Sequence, residues 1–279
     1  MKIFWATSLA LIAFAANSVL CRLALGSGLI DAASFTTIRL LSGALMLYVL
    51  VTWQSIPTIQ RQQKGSWLAG LMLFVYALTF SYAYVSLDTG VGAMILFGTI
   101  QVSMIGFALW QGDKLKPMAL LGLSIAIAGF VYLMLPGASA PSWSGFMLMM
   151  VSGLAWSVYT LKGYGSTFPL ADTAFNFIRT IPLVLLVLVF TWQGAVWDMS
   201  GVLLAVLSGA IASGLGYTLW YMALKGLGTM QTAVLQLLVP VIAALGGVIF
   251  VSETLTMRLM IAAALILGGT LLLVLQRDK

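Results

Sequence analysis

Apolar residues run along this chain in blocks of about twenty, and short polar clusters interrupt them. A bilayer core of about 30 Å needs about 20 helical residues at 1.5 Å each. The blocks fall near 3–21, 34–53, 67–87, 91–110, 118–135, 143–161, 173–192, 201–224, 229–251 and 258–275, which predicts ten membrane-spanning helices. Ser55, Pro57, Arg61 and Lys64 mark one interruption; Gly112 to Pro117, Pro136 to Pro141 and Gly163 to Pro169 mark others. Five of the seven prolines lie in these connections, where no helical hydrogen bond is lost; Pro182 and Pro240 fall inside the seventh and ninth spans. The first block follows Met1-Lys2 in the manner of a signal sequence. Nine comparable blocks follow it, so a permanent anchor is expected.

Composition agrees with this reading and removes the alternatives. The 279 residues are 62% apolar and 7% charged, against roughly 25% charged in a soluble domain. The apolar excess must face lipid. The net charge of +6 usually points to nucleic acid or an anionic substrate, but here the positives follow topology. Lys2, Arg61, Lys64, Lys114, Lys116, Lys162, Lys225, Arg277 and Lys279 fall on one side of the membrane, and Arg22 and Arg258 on the other. That imbalance predicts cytoplasmic termini and no nucleic-acid partner. With one cysteine (Cys21) and no histidine, no internal disulfide, metal site or cofactor is expected. The connections are too short to hold a soluble catalytic domain.

Shifted by 140 residues, the chain partly overlays itself. Phe35-Thr36-Thr37-Ile38-Arg39 falls on Phe175-Asn176-Phe177-Ile178-Arg179, and Asp113-Lys114-Leu115 on Glu253-Thr254-Leu255. Matches of Ala or Leu mean little between two apolar sequences; an intramembrane arginine pair and a post-span acid pair carry more weight. Each copy holds five spans, an odd number, so the second enters from the opposite face. The expected architecture is all-α: two inverted five-helix repeats, residues 1–138 and 139–279, around a central cavity. Inverted repeats are a recurring plan of secondary transporters, because exchanging the conformations of two similar halves exchanges the open side. A duplication could also simply build a stable bundle.

The second half carries a more specific pattern. Gln231 to Gly246 around Val239-Pro240, then Ser252-Glu253-Thr254-Leu255, then Ile261 to Gly268-Gly269, resembles the EamA domain of the drug/metabolite transporter superfamily. The first half is a weaker copy, with Gly112-Asp113-Lys114-Leu115 and Asp113 where the pattern favours Glu. The whole chain resembles YddG-type exporters of aromatic and other neutral amino acids. That resemblance implies ten helices around a cavity in a bacterial inner membrane. Relatives that exchange protons for cations need a buried acid in the first span, where this chain offers Asn17.

The acids, Asp31, Asp88, Asp113, Asp172, Asp198, Glu253 and Asp278, all lie in connections or at span ends. Proton-driven carriers usually place such a group at mid-membrane, so export down a gradient is expected rather than classical proton antiport. Arg39 and Arg179 each lie about five residues into their spans, at a cost of at least about 2.5 kcal/mol unless they snorkel or pair. Topology offers the couples Arg39 with Glu253 and Arg179 with Asp113, as alternating gates or as static pairs.

Polar and aromatic residues at mid-span are the cavity candidates. Gln101 sits near the centre of the fourth span, and Gln236 one turn before Pro240 in the ninth. The proline frees the Gln236 carbonyl, which could receive a substrate ammonium group, or it only kinks the helix. Tyr217, Trp220 and Tyr221 share a face of the eighth span, Ser152, Trp156 and Tyr159 one of the sixth, and Tyr76, Thr79 and Tyr82 are drawn from the third. Trp5, Trp53, Trp67, Trp143, Trp192 and Trp197, near span ends, read as interfacial anchors. Gly and Ala at four-residue spacing, as in Gly122 with Ala126, read as helix packing.

An aromatic cavity with a few amides suits a small, partly apolar zwitterion. The expected function is therefore secondary export of neutral and aromatic amino acids by alternating access, by a monomer in the lipid bilayer. The competing transport function is efflux of other metabolites or organic cations, which the missing central carboxylates disfavour. An enzyme fails for lack of His and of any intramembrane acid pair, and a scaffold would need no mid-span glutamines.

Overall fold

The computed structural model describes residues 2–53, 65–112, 116–137, 140–164, 166–227 and 229–277. Among the described residues, ten helical segments are long and apolar enough to cross a membrane. They are α1 (Lys2–Gly26), α2 (Ala32–Trp53), α3 (Trp67–Tyr84), α4 (Thr89–Trp110), α5 (Pro117–Met134), α6 (Trp143–Gly163), α7 (Pro169–Thr191), α8 (Met199–Leu224), α9 (Thr229–Gln236 and Leu238–Val251) and α10 (Met257–Arg277). The protein is all-helical and multi-pass, as its apolar blocks predict.

Local chemistry sets where the helices begin. Ser66 and Ser142 accept the backbone N–H of Ala69 and Gly145, capping α3 and α6. Pro117 and Pro169 stand in the first turns of α5 and α7, where a missing N–H is harmless. Asp31 accepts from the amides of Ala33 and Ser34 at the start of α2. Asp198 caps α8, and the Ser200 backbone amide holds its carboxyl below the ordinary carboxylate range.

Two helices are irregular where it matters. In α8, residues Leu207–Leu215 widen into a π-helix between two α-helical pieces. In α9, Leu237 separates the two pieces, directly after Gln236 and one turn before Pro240. The freed carbonyl expected there thus accompanies a real interruption of the helix.

Short connections force neighbouring helices antiparallel. One end of the bundle carries the start of α1 and the end of α10 (the terminal end); the other carries residues 27–31, 85–88, 135–137, 140–142, 195–198 and 252–256 (the far end). The closest packing pairs are α5 with α10, α3 with α6, α1 with α8, α2 with α7, α2 with α8, α3 with α7, α4 with α6, α1 with α9 and α4 with α9. The buried core falls into two clusters: a large one with Phe35, Phe80, Tyr84, Met94 and Phe177 among its largest side chains, and a smaller one where α1, α4, α8 and α9 meet.

Candidate functional site

Polar ties hold the far end together. Arg22, in the last turns of α1, bonds Glu253 through Nε (3.2 Å) and Asp88 through Nη2 (3.3 Å). Its Nη1 donates to the carbonyls of Tyr84 and Val85. Glu253 also accepts from the backbone and hydroxyl of Thr89, at 2.9 to 3.1 Å, and so caps α4. Four helices, α1, α3, α4 and α9, thus meet at one carboxylate and one guanidinium.

Backbone geometry delivers that carboxylate. Ser252 ends α9 in the left-handed region, at φ 60°, and turns Glu253 back onto the helix. Gly247 makes room, because a Cβ there would strike the carboxylate and Thr89. A second tie joins the connections flanking α2 and α8. Asp31 accepts from the Val196 amide at 3.0 Å, and the Asp198 amide donates to the Leu29 carbonyl at 2.9 Å.

The terminal end is open. A vestibule of about 330 Å³ lies between α6, α7 and α8, with the exposed Tyr164 at its rim. Asp172, the carboxylate in its wall, is already engaged by the Gly65 amide (2.8 Å) and the Ser166 hydroxyl (2.5 Å). Deeper lies an inner chamber of about 40 Å³, among Asn17, Ser18, Tyr76, Phe80, Phe97 and Ile100. Phe14, Trp156, Tyr217 and Gln236 line both spaces and form the partition between them. Trp156 stacks on Tyr217 at 5.6 Å and 19°, and packs against Tyr76 at 4.6 Å. Among the described residues, no charged side chain lines the inner chamber. A third pocket, of about 180 Å³ beside Asp88 and Glu253 at the far end, shares no lining residue with it.

Most of the residues singled out in the sequence meet here. Asn17 and Tyr76 line the inner chamber; Tyr159, Trp220 and Tyr221 line the vestibule; Trp156, Tyr217 and Gln236 line both. Tyr221 and Tyr159 bond Thr173 at 2.7 and 3.4 Å, which fixes two rings of the vestibule wall. Asn17 Oδ1 accepts from Ser208 and Ser213 of the π-helical segment, tying α1 to α8.

Three candidates line neither space: Thr79, Tyr82 and Gln101. Tyr82 is 41% exposed, and the Thr79 hydroxyl bonds back to the Val75 carbonyl. At about 100° per residue, Tyr82 points about 120° away from Tyr76, whereas Phe80 lies within about 40° of it. The lining stripe of α3 therefore runs from Tyr76 to Phe80. Ser152 is buried behind it and braces α3 by donating to the Tyr76 carbonyl at 3.0 Å.

The couple of Arg39 with Glu253 does not form. Glu253 belongs to Arg22, because α1 extends past its apolar block to Gly26 and carries Arg22 to the far end. Arg39 instead stays buried beside Tyr76. Arg179 lies 5.7 Å from the ring of Trp67. Its expected partner, Asp113, lies outside the described residues.

Sequence reasoning also passed over Phe14, Ser18, Thr173, Asn176 and Arg22. Phe14, Asn17 and Ser18 share one face of α1 by helical spacing, as do Thr173 and Asn176 on α7. That periodicity was available once Asn17 had been singled out.

The fold and site define a multi-pass membrane protein with an aromatic two-chamber cavity open at one end. Residues 143–275 match the EamA-like transporter family. The chain is 49% identical over 271 residues to the uncharacterized protein PA1977 of Pseudomonas aeruginosa, covering 97% of this chain and 94% of that protein. It is 28% identical to an uncharacterized transporter of Archaeoglobus fulgidus, over 74% of this chain and 75% of that protein. It is 24% identical to the threonine/homoserine exporter RhtA of Escherichia coli, over 87% and 82%. A solved crystal structure shares the fold, with a TM-score of 0.66, 22% identity, and coverage of 97% of this chain and 98% of that one. This chain belongs to the EamA-like transporter family and is a membrane transporter, not an enzyme.

Proposed function

We propose that this transporter exports neutral, chiefly aromatic, amino acids across a bacterial inner membrane by alternating access. The observation that carries this reading is the Trp156–Tyr217–Phe14 partition between two chambers, with Gln236 beside it and no acid in the inner chamber. Aromatic faces suit an apolar side chain, and an amide with a freed backbone carbonyl suits an ammonium group. The similarity to the RhtA threonine/homoserine exporter supports the amino-acid class. The vestibule of about 330 Å³ has room for such a solute.

In this reading the termini face the cytoplasm, the vestibule is the inward mouth, and the Arg22–Glu253–Asp88 cluster is the closed outward gate. Two inverted halves, residues 1–138 and 139–279, then exchange conformations. The packing supports this, since each pair maps onto another, or onto itself, when every helix is advanced by five: α3–α6 onto α8–α1, α2–α8 onto α7–α3, and α4–α6 onto α9–α1. Transport runs down the solute gradient, with no buried carboxylate in the chamber to couple it to protons.

Counter-flow in proteoliposomes tests the substrate. Preloaded phenylalanine should drive uptake of labelled phenylalanine, with threonine and methionine competing, and a quaternary amine should not compete. Exchange of the amine alone would replace this reading with cation efflux. An imposed pH gradient should leave the rate unchanged.

A further inference from the structure

Among the described residues, Arg39 is the one charged side chain that is fully buried, with 2% of its surface exposed. It lies about two turns inside α2. Its guanidinium carbon stands 4.9 Å from the Phe80 ring centre and 5.5 Å from that of Tyr76. Nη2 donates to the Tyr76 hydroxyl at 3.2 Å, whereas Nη1 is buried with no hydrogen-bond partner.

The carboxylates that could neutralise it are engaged elsewhere. Asp88 and Glu253 bond Arg22; Asp31 holds the amides of Ala33, Ser34 and Val196. Asp172 holds Gly65 and Ser166, and Asp198 holds Ser200. Every acid among the described residues is thus occupied, Asp172 at the terminal end and the other four at the far end. A buried guanidinium without an anion is strongly disfavoured, and aromatic faces offset only part of that cost. An ionisable residue kept at that depth is by default functional. Its repeat counterpart differs: Arg179 is only half-buried, over the exposed Trp67.

Tyr76 and Phe80 both line the inner chamber, so the guanidinium stands directly behind its wall with one donor unused. We propose that Arg39 is the carboxylate-recognition residue of the transport site, reached when the inner chamber expands around the solute. At about 40 Å³ the chamber is too small for an amino acid. Its enlargement moves Tyr76 and Phe80 aside and opens the planar guanidinium to a carboxylate, a geometry arginine matches with two donors. Recognition and conformational change are then one event: a solute without a carboxylate leaves the guanidinium unpaired and does not drive the expansion. The π-helical turn of α8 packs directly against this part of α2, with Gly209 on the Arg39 carbonyl, and such turns recur at functional sites.

This inference rests on the amino-acid reading and narrows it to ligands bearing a free carboxylate. The test is counter-flow by purified wild type, Arg39→Lys and Arg39→Gln, with phenylalanine, phenylalaninamide, phenethylamine and 3-phenylpropionate. Wild type should exchange phenylalanine about tenfold or more faster than the amide or the amine. Arg39→Lys should keep part of that preference and Arg39→Gln should lose it. Equal exchange of acid and amide by wild type, or undiminished discrimination by Arg39→Gln, overturns the assignment. Exchange of phenylpropionate but not phenylalanine upholds Arg39 while refuting the amino-acid reading; exchange of the amine alone refutes both. Should Arg39→Gln fail to fold, the wild-type acid-to-amide ratio decides. Thermal shift then provides the check, with phenylalanine expected to raise the wild-type Tm and the amide not. Wild type unmoved by all four compounds in both assays also overturns it.

Discussion

Glu253 makes three kinds of bond from one position. It pairs with Arg22, caps the amide of Thr89 and accepts the Thr89 hydroxyl. Hydrogen bonds to a charged group contribute about 1.5–3 kcal/mol, so Glu253→Gln should raise the population open at the far end about tenfold or more. The native Cys21, fully buried in α1 one residue before Arg22, reports it. N-ethylmaleimide labelling of Cys21 should be faster in Glu253→Gln than in wild type; an unchanged rate would mean that this cluster does not hold the far end shut. Gly209 sets a second test at this scale. A Cβ there would strike the Arg39 carbonyl and the Ser42 hydroxyl, so Gly209→Ala should lower Tm, at a cost of about 1–3 kcal/mol for overpacking. What a single side chain does was the least legible in the sequence. Arg22 looked like a loop residue because the apolar block ends before it, and only the continued helix brings it to Glu253.

At the level of elements, the ten spans were legible because bilayer thickness imposes their length on any sequence. Faces of regular helices were legible too, by angular spacing, as the Trp156 and Tyr217 stripes attest. The misplacement of Tyr82 came from letting two steps of three residues stand for a stripe, where the angular drift is too large. The π-helical turn of α8 has no proline to announce it, and within it Ser208 and Ser213 both reach Asn17 across the interface. The interruption of α9 was legible, because Pro240 has no N–H to donate to the Gln236 carbonyl. Pro240→Ala should restore that bond, stabilising α9 while removing a polar group from the site. The expected result is a raised Tm with counter-flow reduced about tenfold. A variant that exchanges phenylalanine at the wild-type rate would reduce the proline to a packing kink.

For the whole molecule, the proposed alternating access of two inverted halves makes the present arrangement one of two, related by the exchange of packing partners under a five-helix shift. The far end is tied by α1, α3, α4 and α9; advanced by five, these become α6, α8, α9 and α4, which surround the terminal end. The alternative state should therefore close the vestibule by bringing the end of α6 towards the end of α8. Tyr164 and Leu224, which both line the vestibule, stand on the two sides of that closure. In a Cys21→Ser background, the pair Tyr164→Cys and Leu224→Cys should cross-link readily only when the far end opens, most of all when combined with Glu253→Gln. The cross-link should stop counter-flow, and reductant should restore it. Cross-linking that proceeds equally in both backgrounds while transport continues would mean that the two ends do not open in alternation, and the pathway would then be a fixed channel.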